Sequence, residues 1–581
     1  MTHSNKNLLE KLDDLIDGNL DNSAFSNDEI CQDLGISRSQ LFRILKDHTH
    51  LSFTLYIRKR KLKKAKSLLS TTEMRISEIA DAVGINSPQN FSKYFIEEFN
   101  ISPSDFRKQI PSENLHILIN PTIFSIAVLP FVNRSNDAEQ EYFSDGITEE
   151  IINVLAKVHS LKVAGRTSCF TFKNKHTDLR EVGALLNVNH ILEGSIRKSG
   201  NKLRITAQLI NVEDGYHLWS ETYDREMSDI FDIQDEISLA ILKEVKLKLF
   251  GEENNRVFKR YTNNHKAYQL YLHGRFYHNK FIGAKEFKKA INYFEAAIAI
   301  EPNYAIAYSG IASCYLNLWF YRHLEPDKSL PKMMEATQRA LELDDEVPES
   351  YLALARKNWF FDWDFNAAHE AFKKALSFDW HKAELHGQYS LFLSLTENYV
   401  KAEENSLLAL SLDPFSIINN YYSAYVYWLS GNFEKAIAQG KHLVELEPTF
   451  WGGYSIVGLN LIQSKQYSEA SKALETALSL NYSGLSLSAC GVLYGLSGEI
   501  EKAQNIILQM KSLSHTQPIS HYDMGIVYAC MGDIDTAFTF FEKSIIKHEP
   551  PMLFFKFIVR DWLSDFKNDP RCSLLFEKIY G

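Results

Sequence analysis

Two groups of polar side chains, each following a serine, have the residue types that recognise the edges of nucleic-acid bases. Arginine pairs in bidentate fashion with guanine, and asparagine or glutamine with adenine. Hydrogen bonding of this kind is recognition and not catalysis. The ten positions are Ser37, Arg38, Ser39, Gln40, Arg43, Ser87, Gln89, Asn90, Ser92 and Lys93.

The elements that must position these groups form a short pattern that occurs twice between Ser26 and Lys108. A small residue is followed four positions later by glycine and then by an apolar residue. The small side chain lets two helices approach, and glycine adopts the left-handed conformation of the turn. The matched residues are Cys31 with Ala80, Gly35 with Gly84, Ile36 with Ile85, Leu41 with Phe91, and Leu45 with Phe95. The spacing predicts helix-turn-helix units at about 27–48 and 76–99.

The second helix of each unit would carry the candidate side chains. Ser37 caps one such helix, and Ser87 caps the other, which has Pro88 at its favoured first position. In a helix-turn-helix this helix enters the major groove with its N-terminal side chains at the bases. For one isolated copy, solvated surface positions would be the better interpretation. Two copies with the same internal spacing instead favour a DNA reader.

The segment between the two copies, Phe53–Leu69, predicts a helix with a cationic flank. It would be roughly 25 Å long at 1.5 Å per residue. Successive major-groove faces lie about 34 Å apart, so the helix could hold two readers over adjacent turns of DNA. Contacts from its cations to phosphates would add affinity without sequence information, and a solvated helix surface is the alternative. The candidate phosphate contacts are Arg58, Arg60, Lys61, Lys63 and Lys64.

These residues resemble the signature of AraC/XylS-type transcription regulators. The resemblance covers about a fifth of the chain and implies a two-headed helix-turn-helix domain at residues 1–110 that binds promoter DNA. Asn100 stands where the family usually has glycine, and asparagine also tolerates the left-handed conformation. Family members usually carry this domain at the C-terminus, behind a small-molecule-binding barrel, so we do not expect a sugar-type effector. The resemblance is carried by Arg60, Ala65, Leu69, Ile79, Ala80, Gly84, Ile85, Asn90, Phe91, Phe95 and the run Phe99–Arg107.

Length and charge predict several domains, of which one meets nucleic acid. The net charge of the 581 residues is −10. Residues 1–110 hold 16 Lys+Arg against 15 Asp+Glu, about +1, which leaves about −11 for the remainder. An acidic body excludes a protein coated with nucleic acid along its whole length.

Cysteine usage and hydropathy predict the compartment. The six cysteines are scattered without metal-ligand spacing, which indicates free thiols in a reducing cytosol. No stretch reaches the roughly 18–20 apolar residues of a membrane-spanning helix. We therefore expect a cytoplasmic protein that does not contact a membrane.

After a linker at residues 111–123, residues 124–250 alternate short apolar runs with amphipathic segments. The β-rich runs and a hairpin signal at Ser199-Gly200-Asn201 predict a small α/β domain with a mixed sheet. The phrases AVLPF, EYFSDGITEEI, ILEGSIR and RITAQLINVEDGYHLW resemble the TolB-like domain. That resemblance implies a non-catalytic coupling or sensory module.

The acids of this domain could suggest acid/base or metal chemistry. Asp145, Glu149 and Glu150 are instead expected to stabilise a helix dipole from its first turn. The run 165–168, Gly-Arg-Thr-Ser, could hold an anion at a turn, but it lacks the GK[ST] of a phosphate-binding loop. The sequence contains no GxSxG and no HExxH. We therefore expect no catalytic residue, no metal and no cofactor.

Residues 266–548 show a period of 34 residues, with a cap at 549–581. Ala424, Tyr427 and Ala436, for example, correspond to Gly458, Leu461 and Ala470. The period resembles the tetratricopeptide repeat, in which small residues permit close helix packing. About seven units would stack into an α-solenoid whose concave face suits a protein or peptide partner.

Together these observations predict a multidomain, mainly α protein: an N-terminal all-α double helix-turn-helix, a small central α/β domain and a C-terminal α-solenoid. The favoured hypothesis is a transcription regulator that reads double-stranded promoter DNA. Its TolB-like and repeat modules would receive a protein signal or mediate self-association into a homo-oligomer. The alternative is a repeat scaffold or adaptor with auxiliary DNA binding. An enzyme is not expected.

Overall fold

The chain forms two compact units, Met1–Ile123 and Phe124–Gly581. The computed structural model describes residues 31, 36–37, 40–41, 55–59, 61–62, 65, 75–85, 87–99, 102–104, 124–135, 140–158, 160–244, 257–279, 283–563, 566 and 569–580. The linker predicted at residues 111–123 lies outside these ranges.

The described core of the first unit is a helix pair packed on the helical segment around Leu62. Helix α1 spans Ile76–Ala82 and helix α2 spans Pro88–Phe99. Gly84 takes a φ of +62° in the turn between them, the left-handed conformation that glycine adopts at least cost. The buried residues are Leu62, Ala65, Ile79, Ala80, Val83, Phe91 and Phe95. The predicted inward positions of the second copy are therefore confirmed.

The second unit begins with a mixed sheet whose strand order is β3-β1-β4-β5-β6, with β2 paired to β4. The β1, β2 and β3 pairings are parallel, and β4, β5 and β6 form an antiparallel meander. Gly200 closes the β4–β5 hairpin with a φ of +60°, as its turn signal predicts. The strands are β1 Ser125–Val128, β2 Val132–Asn133, β3 Lys162–Val163, β4 His190–Ser199, β5 Lys202–Asn211 and β6 His217–Glu226.

Helices cover both faces of this sheet. Alternate residues of a strand point to opposite faces, and β1 follows this rule: Ile126 and Val128 join the core under α3 and α6, whereas Ala127 joins the core under α4 and α5. The helices are α3 Glu141–Ala156, α4 Arg166–Phe170, α5 Leu179–Leu186 and α6 Ile230–Glu244, with a 3₁₀ turn at Met227–Asp229. The predicted small α/β fold is confirmed.

The remainder of the described chain is a helical array of eight antiparallel pairs followed by a C-terminal cap. The pairs are α7 His265–Asn279 with α8 Ala284–Ile300, α9 Ala305–Phe320 with α10 Pro326–Leu343, α11 Pro348–Lys357 with α12 Phe365–Phe378, α13 Ala383–Leu395 with α14 Tyr399–Leu412, α15 Ile417–Leu429 with α16 Phe433–Leu446, α17 Trp451–Gln463 with α18 Tyr467–Leu480, α19 Gly484–Leu496 with α20 Ile500–Leu513, and α21 His521–Cys530 with α22 Ile534–Ile546. First helices contact one another directly along α7, α9 and α11 and again along α13, α15, α17, α19 and α21, and so form a layer. The cap comprises a 3₁₀ turn, Pro550–Phe554, and helices α23 Phe555–Asp561 and α24 Pro570–Tyr580.

Small residues set the spacing within the pairs, as the repeat pattern indicates. A Cβ at Gly458 would lie 2.5 Å from Leu474 Cγ, and one at Gly525 would lie 2.8 Å from Phe541 Cε1. Neither distance is compatible with a side chain larger than glycine. The sequence indicated about seven units, whereas the described residues form eight pairs. Residues 321–325 are the loop that joins α9 to α10 within the second pair.

The α/β domain and the array share one hydrophobic core. Helix α3 packs directly on α7, where a Cβ at Gly146 would lie 2.9 Å from both Leu272 methyl carbons. Gly146 thus allows a close approach between the two parts of the second unit.

Replacement of Gly146 by Val tests this approach. We expect Gly146→Val to lower the free energy of unfolding by about 1–3 kcal/mol, because the added atoms overpack the contact with Leu272. Asn153→Val is the matched control, because it introduces the same residue at an exposed position of the same helix; its effect should stay within about 0.5 kcal/mol. Equal effects of the two substitutions in urea denaturation would show that overpacking against Leu272 is not responsible.

Candidate nucleic-acid interface

The turns of the two sequence copies make the same three hydrogen bonds. The Ile36 amide donates to the Cys31 carbonyl at 3.0 Å, and the Ile85 amide donates to the Ala80 carbonyl at 2.8 Å. The next helix then begins at a serine: the amides of Leu41 and Phe91 donate to the carbonyls of Ser37 and Ser87 at 3.0 and 2.8 Å. The third bond is the serine cap, in which the amides of Gln40 and Asn90 each donate to the hydroxyl of the preceding Ser37 or Ser87 at 3.3 Å.

The candidate side chains of the second copy are presented on one surface of α2. Gln89, Asn90 and Lys93 are exposed, Ser92 is half-buried, and Phe91 and Phe95 anchor the opposite face. The Ser87 hydroxyl also donates to the Gln89 amide oxygen at 3.2 Å. The N-terminal turn of α2 therefore presents donors and acceptors outward from a fixed backbone.

Of the first copy, Ser37 and Gln40 are described and both are exposed. The Gln40 amide oxygen accepts from the Ser37 backbone amide at 3.0 Å, which makes the pair a reciprocal capping box. Cys31 and Leu41 are buried, as the pattern requires. Arg38, Ser39 and Arg43 lie outside the described residues.

Two of the five candidate phosphate contacts, Arg58 and Lys61, have partners within the protein. The Lys61 ammonium donates to the Gly84 carbonyl at 3.1 Å, and burial lowers its pKa. The Lys59 ammonium, next along the same helix, lies 2.9 Å from Glu98, and the Arg58 guanidinium lies 4.6 Å from the ring centre of Tyr94. These contacts fix the connecting helix to the second copy. Arg60, Lys63 and Lys64 lie outside the described residues.

The acids of the α/β domain lie deeper in α3 than expected. Helix α3 begins at Glu141, so none of the three acids Asp145, Glu149 and Glu150 is in its first turn, and the dipole interpretation is wrong for all of them. Asp145 instead lies 2.5 Å from the Lys173 ammonium. Glu149 accepts from Arg166 at 2.9 Å, from the Asn279 amide at 2.8 Å, and from Arg275.

The pKa values of two adjacent carboxyls in this buried cluster shift in opposite directions. Burial alone would raise the pKa of Glu149, but Arg275 and Arg166 outweigh it and lower the pKa to about 2. Burial, reinforced by the charge of Glu149, raises the pKa of the neighbouring Glu150 to about 7. Glu149 is thus a permanent anion that ties α3 to α7, a structural role that its sequence did not reveal.

The glycine turn that could hold an anion already holds a carboxylate of the array. The amide and hydroxyl of Ser168 both donate to Asp413 Oδ1, the amide at 2.7 Å. The Gly165 amide donates to the Leu412 carbonyl at 2.6 Å, and the Ser168 hydroxyl accepts from the Phe415 amide at 2.8 Å. A Cβ at Gly165 would overlap Asp413. This turn is a domain contact, and Asp413 takes the place of an external anion.

The inner layer of the array is covered by the C-terminal cap. The ring of Trp428 stacks on Phe554 at 6.1 Å and on Trp562 at 6.0 Å between ring centres. The Arg560 guanidinium donates to the Leu429 carbonyl at 2.8 Å, where the exposed carbonyls of α15 attract a cation.

Contacts continue from the cap to earlier pairs. The Lys556 ammonium lies 2.8 Å from Glu397, and the His548 ring is 2.7 Å from the Phe361 carbonyl. Among the described residues, therefore, the C-terminal part of the chain contacts the end of α15 and the loops within the third and fourth pairs.

The comparisons with known proteins agree with the geometry of the first unit. Residues 30–109 match the family model described as a helix-turn-helix domain. The regulatory protein SoxS of Salmonella typhimurium is 35% identical over 107 residues, which cover 18% of this chain and 99% of SoxS. The chain belongs to the AraC-type helix-turn-helix regulators.

The AraC-type domain is similar to solved structures with the same assignment. An AraC-type transcriptional regulator from Chromobacterium violaceum is 31% identical, with a TM-score of 0.17, and the match covers 18% of this chain and 92% of that structure. The pilus biogenesis factor PilW is 17% identical over 36% of this chain, with a TM-score of 0.30. The repeat architecture itself is established by the helix pairs of this chain.

Residues 122–239 match the second domain of HilA/YgeH-like transcriptional regulators. The middle segment is thus similar to a domain of transcriptional regulators, and the TolB-like resemblance stays a prediction. A putative adenylate cyclase 3 of Rhizobium meliloti is 38% identical over 235 residues, but the match covers 39% of that protein. The Msm operon regulatory protein of Streptococcus mutans is 38% identical over 88 residues, which cover 32% of it.

No cluster of three or more metal-ligating side chains occurs within the described ranges. In the same part of the chain, no helix is long and apolar enough to cross a membrane.

Lys61 and Lys93 of the AraC-type domain offer a matched pair of substitutions. We expect Lys61→Met to lower the free energy of unfolding of the first unit by about 1 kcal/mol, because the Gly84 carbonyl loses its donor. The slope of log binding constant against log salt concentration should then be unchanged. We expect Lys93→Met to leave stability unchanged and to reduce that slope by about one. The reverse pattern would show that Lys61 contacts phosphate.

Glu150 predicts a pH dependence of stability. Ionisation of a carboxyl whose pKa is raised from 4.5 to about 7 destabilises the folded state. This destabilisation is absent below pH 4.5 and complete above about pH 7. Glu150→Gln should therefore raise the free energy of unfolding at pH 8 by roughly 1–3 kcal/mol, with no gain near pH 4.5. Glu181→Gln, at an exposed position of α5, is the control. A gain independent of pH would contradict the buried-charge explanation.

Proposed function

We propose that this protein is a sequence-specific transcription regulator that reads promoter DNA with two helix-turn-helix units. The observation that carries the proposal is the threefold equivalence of hydrogen bonds at residues 31–41 and 80–91. Both copies thus place a capped helix start behind the same turn. Exposed Gln89, Asn90 and Lys93 supply the donors and acceptors that base edges require.

The connecting helix supports a fixed distance between the two readers. Leu62 and Ala65 are buried with Phe91 and Phe95 in one core, and the Lys61, Lys59 and Arg58 contacts hold the same helix. A helix attached in this way cannot swing relative to the second reader. The protein should therefore require two half-sites at one spacing, near one helical turn of DNA.

The remaining modules are proposed to control the reader. The HilA/YgeH-like match assigns the α/β segment to a domain of regulators, and the repeat pairs are of the kind that bind proteins. The array contacts the α/β domain at Arg275 and Asp413. A partner that binds the array or the α/β domain would therefore alter the packing of both, because the two are joined by these contacts.

Selection of genomic fragments by the full-length chain, followed by footprinting, tests the reading function. We expect protection of two successive major grooves. Gln89→Ala combined with Asn90→Ala should weaken binding to the selected site by about 10–100-fold, since each good base contact contributes roughly 1–3 kcal/mol, while non-specific binding is retained. Ser77→Ala, at an exposed position of α1, is the control. Loss of affinity that is equal on selected and random DNA would refute these residues as readers.

Insertion of base pairs between the half-sites tests the rigid connection. An added half turn, about five base pairs, should abolish joint protection because the second reader would face the wrong side of the duplex. Protection of both half-sites at every spacing would contradict a fixed connecting helix. The scaffold alternative predicts no selected sequence at all.

A further inference from the structure

The outer edge of the sheet is formed by β6, which is long and exposed. Strand order places β6 at the end of the sheet, paired only with β5 among the described strands. Of its ten residues, Tyr223 is buried and Trp219 is half-buried, and the other eight are exposed. In an antiparallel ladder every second residue directs its N–H and C=O away from the neighbouring strand. Half of the backbone groups of β6 therefore point to a side where no described strand lies.

Edge strands in soluble proteins are usually short, or carry proline or charged side chains that hinder pairing. The opposite edge, β3, has two residues. Strand β6 has ten residues and no proline, and its charged residues, Glu221, Asp224, Arg225 and Glu226, include both signs. Its length and its outward-directed backbone groups suit the addition of a further antiparallel strand. In the single chain the Arg225 guanidinium donates to the Asp224 carbonyl at 3.2 Å, and it would turn from there to the second copy.

We propose that β6 pairs with β6 of a second copy of this chain, antiparallel and around a twofold axis at Thr222. The two sheets would then form one continuous sheet across a homodimer. This inference goes beyond the proposed function and does not depend on DNA binding.

The side chains of β6 are complementary to themselves in this register. With Thr222 opposite Thr222, Trp219 faces Arg225 of the second copy, an arrangement in which a guanidinium covers an indole ring. Glu221 faces Tyr223 of the second copy, and within one chain the Tyr223 hydroxyl already donates to Glu221 at 3.4 Å. Both pairs occur twice because the axis is twofold.

Neighbouring registers are less favourable. In an antiparallel pair, residues directly opposite each other have their side chains on the same face of the sheet. A twofold axis perpendicular to the sheet must therefore lie where a residue is opposite its own copy. An axis one residue away, at Glu221, would place two carboxylates directly opposite each other, and like charges in that position are destabilising. An axis at Tyr223 would pair Glu221 with Arg225 of the second copy, but it would place Trp219 opposite Met227, beyond the end of the strand. Thr222 is the proposed centre because it is the register in which Arg225 covers the Trp219 ring.

The remainder of the sheet leaves room for this partner. The face of β5 and β6 away from α6 carries exposed polar pairs: Arg204 with Asp224, and Thr206 with Thr222. These contacts are made within one face and leave the edge uncovered. The inner layer of the array, in contrast, is occupied by the cap at Trp428.

Cross-linking of the full-length chain tests the register. We expect Thr222→Cys to form a covalent dimer with a short bis-maleimide, because the two sulfurs would lie within roughly 6 Å of each other across the axis. Ser220→Cys is the matched control, because its two copies would be separated by four residues, about 14 Å. The six native cysteines are buried and serve as the wild-type background. Equal cross-linking of both variants would overturn the register.

Sedimentation equilibrium tests the association itself. We expect the wild type to approach twice 66.8 kDa with rising concentration. Arg225→Glu should weaken the dimer by about tenfold or more, because it faces Trp219 and lies near Glu221 of the second copy. Arg180→Glu makes the same charge change on α5 and should have no effect. A mass of 66.8 kDa at every concentration would overturn self-pairing and leave the edge for a strand of another protein.

Discussion

The close approach of helices at residues with little or no side chain is the constraint on which this structure depends. It occurs in the first unit at Ala80, within the repeat pairs at Gly458, and between the α/β domain and the array at Gly146. At each place a larger side chain would separate two helices whose apolar faces must meet. The same packing requirement therefore serves the DNA-reading unit, the repeats and the contact between domains.

Charge then determines which surfaces stay together once they are close. Glu149 is buried with Arg166 and Arg275, and Asp413 is buried against the N-terminus of α4. A buried ion that lost its partner would remain unpaired in a medium of low dielectric, at a cost of several kcal/mol. The α/β domain and the repeat array therefore form one packed unit.

This arrangement changes where signals can enter the molecule. A repeat array with an open inner layer would bind its partner there, but Trp428 and Leu429 contact the cap of the same chain. Exposed surfaces such as the edge strand β6 remain available for association. We therefore favour control of the DNA-reading unit by the association of copies of the chain over control by a ligand bound to the inner layer of the array.

The sequence by itself determined the local features. The spacing of Ala80, Gly84 and Ile85 predicted the turn, and the run around Gly200 predicted the hairpin, because backbone conformation there depends on one or two residues. The 34-residue period likewise predicted the helix pairs, since each unit must bury the same face against its neighbour.

Only the tertiary structure decided which charged side chains are already satisfied. The sequence predicts a phosphate contact for Lys61 and a helix-dipole role for Glu149, and the structure places the Gly84 carbonyl and the Arg275 guanidinium beside them. Those partners lie 23 and 126 residues away along the chain, beyond the reach of any local pattern. Sequence fixes what a side chain can bind, whereas the fold decides whether another part of the same chain has already bound it.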